Sequence, residues 1–130
     1  MEECIFCKIV LGEIPSYKIY EDENFISFLD INPIMEGQVL LIPKEHFKGS
    51  IFDLDEKIYL ELMKATKKIS NILDKTFNPI KVGMIAEGLE LDHVHVKLYP
   101  LKKEFGLKIM EPNPTNDELK QIQNKILENN

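Results

Sequence analysis

At 130 residues with 44% hydrophobic side chains, the chain has the length of one domain that buries about two thirds of the surface its unfolded form exposes. Sixteen cations against 22 acids give a formal charge of −6; every cation is a lysine and no arginine is present, which argues against a nucleic-acid clamp but not against small anions. No apolar run approaches the ~20 residues that span a bilayer, and Met1-Glu2-Glu3 is acidic where a secretory signal is basic, so the sequence predicts a cytoplasmic protein with no nucleic-acid or membrane partner.

The stretch Cys4-Ile5-Phe6-Cys7-Lys8-Ile9-Val10-Leu11, closed by Gly12 and Pro15, predicts one or two helical turns. Residues 16–20 and 25–29, on either side of the acidic turn Glu21-Asp22-Glu23-Asn24, predict a hairpin. A loop from Asn32-Pro33 to Gly37 leads into the β-prone run Gln38-Val39-Leu40-Leu41-Ile42, ended by Pro43. Between Asp53 and Phe77, Leu54, Ile58, Leu62, Ala65, Ile69 and Ile72 recur every three or four residues, the pattern of an amphipathic helix, with Asp53 and Glu56 as a capping pair. Lysines 67, 68 and 75 fall in its C-terminal half, where the helix dipole favours cations. Residues 79–86 and 91–99 predict two more strands joined through Glu87-Gly88. Glu111-Pro112-Asn113-Pro114 is a stiff linker, and Thr115 with Glu118 forms a capping box opening a last helix that carries Leu119, Ile122 and Ile126. This order predicts an α+β domain on a mainly antiparallel sheet.

Five soft or borderline metal ligands sit at three places in the chain: Cys4 and Cys7, His46, and His93 with His95. Two cysteines in a reducing compartment do not make a disulfide scaffold. A Cys-x-x-Cys pair serves as a redox couple, as simple packing, or as half a zinc site that takes two more ligands from elsewhere. In Asp92-His93-Val94-His95-Val96-Lys97-Leu98-Tyr99, strand alternation sends His93, His95, Lys97 and Tyr99 to one face and the apolar residues to the other. If His46 and His93 complete a Cys2His2 set, His95 is left for a substrate; if zinc takes both strand histidines, His46 is spared. Lys97 favours the first arrangement, because a lysine suits an imidazole that attacks a phosphoryl group and does not suit a neighbour of zinc. Proton transfer by His95 without covalent attack stays open.

From Cys4 to about Pro100 the chain resembles the histidine triad (HIT) family of nucleotide hydrolases and transferases. The resemblance is carried by Cys4-Ile5-Phe6-Cys7-Lys8-Ile9, Gly12-Glu13-Ile14-Pro15-Ser16, Phe28-Leu29-Asp30-Ile31-Asn32-Pro33, Val39-Leu40-Leu41-Ile42-Pro43-Lys44-x-His46 and His93-Val94-His95, in that order. It implies a five-stranded antiparallel sheet with a long helix, a short N-terminal helix and a C-terminal helix. It also implies a homodimer joined through the long helix and the motif-bearing edge; Tyr59, Met63 and Thr66, on a flank of that helix beside its apolar stripe, would be exposed in a monomer. Residues 1–110 would form the nucleotide-binding domain, and residues 111–130 a Pro-rich linker and helix of the same domain. His95 would be the nucleophile toward the α-phosphorus, Asp30 the ribose contact, and Ile5, Phe6, Ile9, Phe28 and Ile31 the base contacts. Cys4, Cys7, His46 and His93 would hold structural zinc.

Three positions depart from the family pattern. Lys97 replaces the third histidine, where the uridylyltransferase branch carries glutamine, and is expected to act beside His95 as a catalytic charge. Val82-Gly83-Met84 stands where a polar, asparagine-rich stretch is usual, and Glu90 where a Ser/Thr-like side chain contacts phosphate. The expected activity is hydrolysis or transfer at the α-phosphate of a nucleotide conjugate or dinucleoside polyphosphate. The alternatives are a nucleotide-binding or sensing protein with little turnover and a zinc-stabilised interaction module.

Overall fold

The computed structural model describes residues 3–102 and 110–129. The acidic Met1-Glu2 start and residues 103–109 of the predicted domain lie outside them.

Five strands, β1 (Lys18–Glu21), β2 (Phe25–Leu29), β3 (Val39–Pro43), β4 (Lys81–Ile85) and β5 (Val96–Leu101), form one sheet in the order β1-β2-β3-β5-β4. Every neighbouring pair is antiparallel. The helices are α1 (Ile5–Val10), α2 (Glu56–Phe77) and α3 (Asn116–Glu128), and a 3-10 turn at Ile51–Asp53 precedes α2. No helix among the described residues is long and apolar enough to cross a membrane.

The sheet is covered on both faces, which explains why β3 is apolar throughout and not alternating. Phe25, Val39, Leu41, Val94, Val96 and Leu98 pack with Leu62, Ala65, Ile69 and Leu73 of α2. Ile26, Phe28, Leu40 and Ile42, one residue out of phase, pack on the other face with Phe6 of α1. Thus α2 supports the sheet from behind while α1 lies over β2 and β3 at the front.

Four expectations need correction. The N-cap of α2 is Asp55, which accepts the N–H of Ile58 at 3.0 Å; Asp53 instead closes a capping box with Ser50 on the preceding turn. The buried stripe of α2 ends on Leu73 and not Ile72, since 3.6 residues beyond Ile69 falls between them. Thr66, expected on an exposed flank with Tyr59 and Met63, is buried and donates its hydroxyl to the Leu62 carbonyl at 2.8 Å. The strand expected over residues 91–99 starts only at Val96. Pairing with β3 runs from Leu98 to Val96 opposite Val39 to Leu41 and then stops near Pro43, which has no N–H to give; the N–H of Val94 goes to the Phe47 carbonyl at 2.9 Å instead. The faces nevertheless alternate as expected, with Val94, Val96 and Leu98 in the core behind the sheet.

The capping box of α3 is present, formed by Thr115 and Glu118. None of its residues is buried, and Leu119, Ile122 and Ile126 are exposed.

Candidate functional site

Cys4 is the N-cap of α1, its sulfur accepting the Cys7 N–H at 3.4 Å, so one helical turn brings both thiols to the same end of the helix. His46 comes from the loop after β3 and His93 from the segment before β5. Cys4 Sγ lies 3.3 Å from His93 Nδ1, Cys7 Sγ 3.2 Å from His46 Nδ1, and the two Nδ1 atoms are 3.1 Å apart. The four donor atoms all lie within 4.8 Å of one another. His93 Nε2 is 2.9 Å from the Pro43 carbonyl, an acceptor only, so the proton sits on Nε2 and the Nδ1 lone pair faces the cluster.

Burial lowers the pKa of His93 from its ordinary 6.5, the Pro43 hydrogen bond opposing this, and so favours the neutral imidazole a metal needs. Burial, then the Cys4 contact, raises that of Cys7. Two sulfurs and two imidazole lone pairs aimed at one point repel unless protons or a cation lie between them. The set suits a tetrahedral cation. Two hydrogen bonds tie the ligand loops together independently of any metal: Asp92 Oδ1 accepts the Gly49 N–H at 2.7 Å, and the Phe47 carbonyl accepts that of Val94.

In front of the sheet, bounded by α1, β2 and β5, is a cavity of about 260 Å³. Ile5, Phe6 and Ile9 from α1, with Phe28 and Ile31, make an apolar wall; Asp30, Glu90, His95 and Lys97 supply its titratable groups. All six residues expected to bind nucleotide and both expected to be catalytic therefore line one cavity. His95 is 5% exposed, and its Nδ1 lies 2.7 Å from the His93 carbonyl. That carbonyl only accepts, so Nδ1 carries the proton and Nε2 keeps an available lone pair.

The ring of Phe6 makes edge contacts with His93, His95 and Phe28, at centroid distances of 5.6, 5.3 and 5.9 Å. It stands between the metal-type cluster and the cavity. Ile14, Ser16, Asn32 and Leu91 also line the cavity and were given no role by the sequence reading. Ile14, Ser16 and Asn32 fall within stretches already singled out, whereas Leu91 lies in the connection between β4 and β5.

The cavity thus carries one imidazole on its wall and has a separate donor cluster beside it. A family model described as the HIT domain matches residues 11–104, and the chain belongs to that family. An uncharacterised HIT-like protein of Borreliella burgdorferi is 39% identical over 129 residues, covering 94% of this chain and 92% of that protein. Adenosine 5′-monophosphoramidase HNT1 of Candida albicans is 36% identical over 124 residues, covering 88% and 81%. The crystal structure of a HIT family protein from Bacillus anthracis superposes with a TM-score of 0.79 at 32% identity, covering 99% of this chain and 98% of that one. Nucleotide hydrolases are among the members of the family.

Proposed function

We propose that this protein is a nucleotidyl hydrolase or transferase acting at the α-phosphate of a nucleotide conjugate or dinucleoside polyphosphate through His95. The observation that carries the reading is the bond from His95 Nδ1 to the His93 carbonyl, which leaves Nε2 as a nucleophile in a cavity shared with Asp30 and Lys97. Nε2 attacks the α-phosphorus, and the new P–N bond forms as the bond to the leaving group breaks and that group takes the electron pair. Water or another acceptor then attacks phosphorus, gives up its proton, and returns the P–N pair to Nε2. Trapping a nucleotidylated His95 by mass spectrometry after mixing with an activated adenylate tests the step.

Lys97, two residues along on the same face, acts as a fixed positive charge on the phosphoryl oxygens. An alkylammonium is a far weaker acid than an imidazolium, so it stabilises charge but donates a proton poorly to a leaving group. Turnover should therefore favour pyrophosphate-like or aryl leaving groups over basic amines. Lys97→Met should slow the reaction by ~10²-fold, and Lys97→His should restore activity selectively toward phosphoramidates. Equal rates for aryl and amine substrates, with Lys97→Met unaffected, would remove this role.

Asp30 reads the ribose and the apolar wall takes the base. A carboxylate that accepts both ribose hydroxyls discriminates against a 2′-deoxy ligand by one lost hydrogen bond, worth ~1–3 kcal/mol. Calorimetry with AMP and 2′-deoxy-AMP should show that difference, and equal affinities would contradict it. The carboxylate of Glu90 on the same cavity opposes a phosphate, and this favours a second reading in which the protein binds or senses a nucleotide with little turnover.

The metal held by Cys4, Cys7, His46 and His93 is proposed to be zinc, which closes the site and supplies structure without chemistry. Free thiols of this kind suit a reducing cytoplasm. Residues 1–110 carry the nucleotide-binding chemistry, with 111–130 as an appendage of the same domain. We also assign the protein as a homodimer: Leu60 and Ile72 on α2, Phe52 on the turn before it, Met84 on the edge strand β4 and Ile80 just before that strand are exposed apolar groups. Sedimentation should give twice 15.1 kDa, and a 15.1 kDa species at tens of micromolar would refute the dimer.

A further inference from the structure

The carboxylate of Asp30 is not free to turn. Its Oδ1 accepts the Asn32 N–H at 2.9 Å, and its Oδ2 accepts Nε2–H of Gln38 at 2.7 Å. Gln38 is only 2% exposed and sits one residue before β3. Every polar group it owns is engaged within the loop 30–38. Its Oε1 accepts the Ile34 N–H at 2.6 Å, its N–H donates to the Met35 carbonyl at 3.3 Å, and its own carbonyl accepts the Asp30 N–H at 3.0 Å.

The bond from Ile34 also settles the orientation of the amide: a backbone N–H requires an acceptor, so the oxygen faces Ile34 and the NH2 group faces the carboxylate. The loop cannot slide to relieve a change. Gly37 has φ +85°, and a Cβ there would come within 2.6 Å of the Phe77 ring, so the turn before Gln38 is seated against the end of α2.

A carboxylate oxygen has two lone-pair directions. Asn32 takes one on Oδ1 and Gln38 one on Oδ2, which leaves one acceptor on each oxygen, side by side. That arrangement matches the two hydroxyls of a vicinal diol. We infer that Gln38 is a positioning residue that fixes the Asp30 carboxylate for such a diol and thereby sets the preference of the cavity for ribo- over 2′-deoxyribonucleotides. This deepens the proposed function and rests on its reading of Asp30 as the ribose contact.

The other charged or titratable groups on this cavity are Glu90, His95 and Lys97, and buried Tyr99 lies near enough to Asp30 to sense its charge. The test is therefore a ratio of affinities for AMP and 2′-deoxy-AMP, in which protonation of these groups and of the phosphate, common to both ligands, cancels. The ratio is measured by calorimetry at pH 5.5 and pH 8 for the native chain, Gln38→Met and Gln38→Glu, with melting curves to establish folding.

The native chain should favour AMP by about tenfold at both pH values. Gln38→Met, without a donor, should lose that preference at both. Gln38→Glu sets one carboxylate against another; it should lose the preference at pH 8 and regain part of it at pH 5.5, where the pair can share one proton and remake the hydrogen bond. A purely structural role would weaken both ligands alike and leave the ratio unchanged. If either folded variant keeps the native ratio at pH 8, the role of Gln38 is overturned while that of Asp30 stands. If the native chain shows no preference, the assignment of Asp30 fails and this inference fails with it. Should one variant not fold, the other carries the test.

Discussion

Replacing His95 with glutamine is expected to lower kcat/KM toward a good nucleotidyl donor by ~10⁴-fold or more, because it removes the atom that forms the covalent intermediate. Asp30 is engaged by Asn32 and Gln38, and Lys97 and Glu90, which line the same cavity, are an ammonium and a carboxylate, neither of which replaces an imidazole lone pair. Affinity for AMP should change by only a few fold, since the apolar wall and Asp30 remain. Steady-state rates with an aryl adenylate and calorimetry with AMP measure the two quantities separately. A variant that turns over at the native rate would dismiss His95 as nucleophile. A native protein that melts higher with AMP but neither turns over nor forms an adduct would make it a nucleotide sensor.

Stripping the proposed zinc should lower the melting temperature by ~10 °C or more. A ligand present at 1,000 times its Kd contributes ~4 kcal/mol, and in a domain of this size each kcal/mol moves the midpoint by a few degrees. The cluster joins α1 to the sheet, and α1, with six residues, is far too short to be stable alone. Acid should have the same effect as chelator. The pKa of His93 is lowered on folding, so the folded chain binds fewer protons than the unfolded one as pH falls. The stability His93 contributes is complete above the ordinary imidazole value of 6.5 and is lost as pH falls through the lower folded value. Protonation also takes the ligand atom, so metal release and loss of stability should coincide. Calorimetric melting with and without chelator, paired with metal analysis of untagged protein, tests this; full stability in protein free of zinc would refute it.

Much of the fold was legible because periodicity and breakers agreed: the apolar run of β3, the spacing of α2 and the capping box of α3 each appear where the sequence places them, within a few residues. The errors fall where tertiary hydrogen bonds override local pattern. The N-cap of α2 moved because Ser50 claims Asp53 for its own turn. The strand through His93 and His95 did not form because Pro43 ends the ladder while Phe47 captures the Val94 N–H. The residue types of the candidate site were legible from their scarcity, five cysteines and histidines in 130 residues. What stayed hidden was relational. Nothing in the sequence shows that Gln38, at the head of an apolar run, reaches back eight residues to hold Asp30, or that Phe6 packs against two imidazoles.

The donor cluster also has a consequence for how the chain is made. Cys4 and His93 are 89 positions apart, so the clasp between them closes one of the longest loops the chain can form. During vectorial synthesis the two thiols emerge 89 and 86 positions before His93, one of the groups that face them in the fold. Helix α1, which carries part of the cavity wall, is thus synthesised well before the segment that secures it. Nascent chains stalled before residue 93 would present two sulfurs without the imidazole that both of them face in the fold.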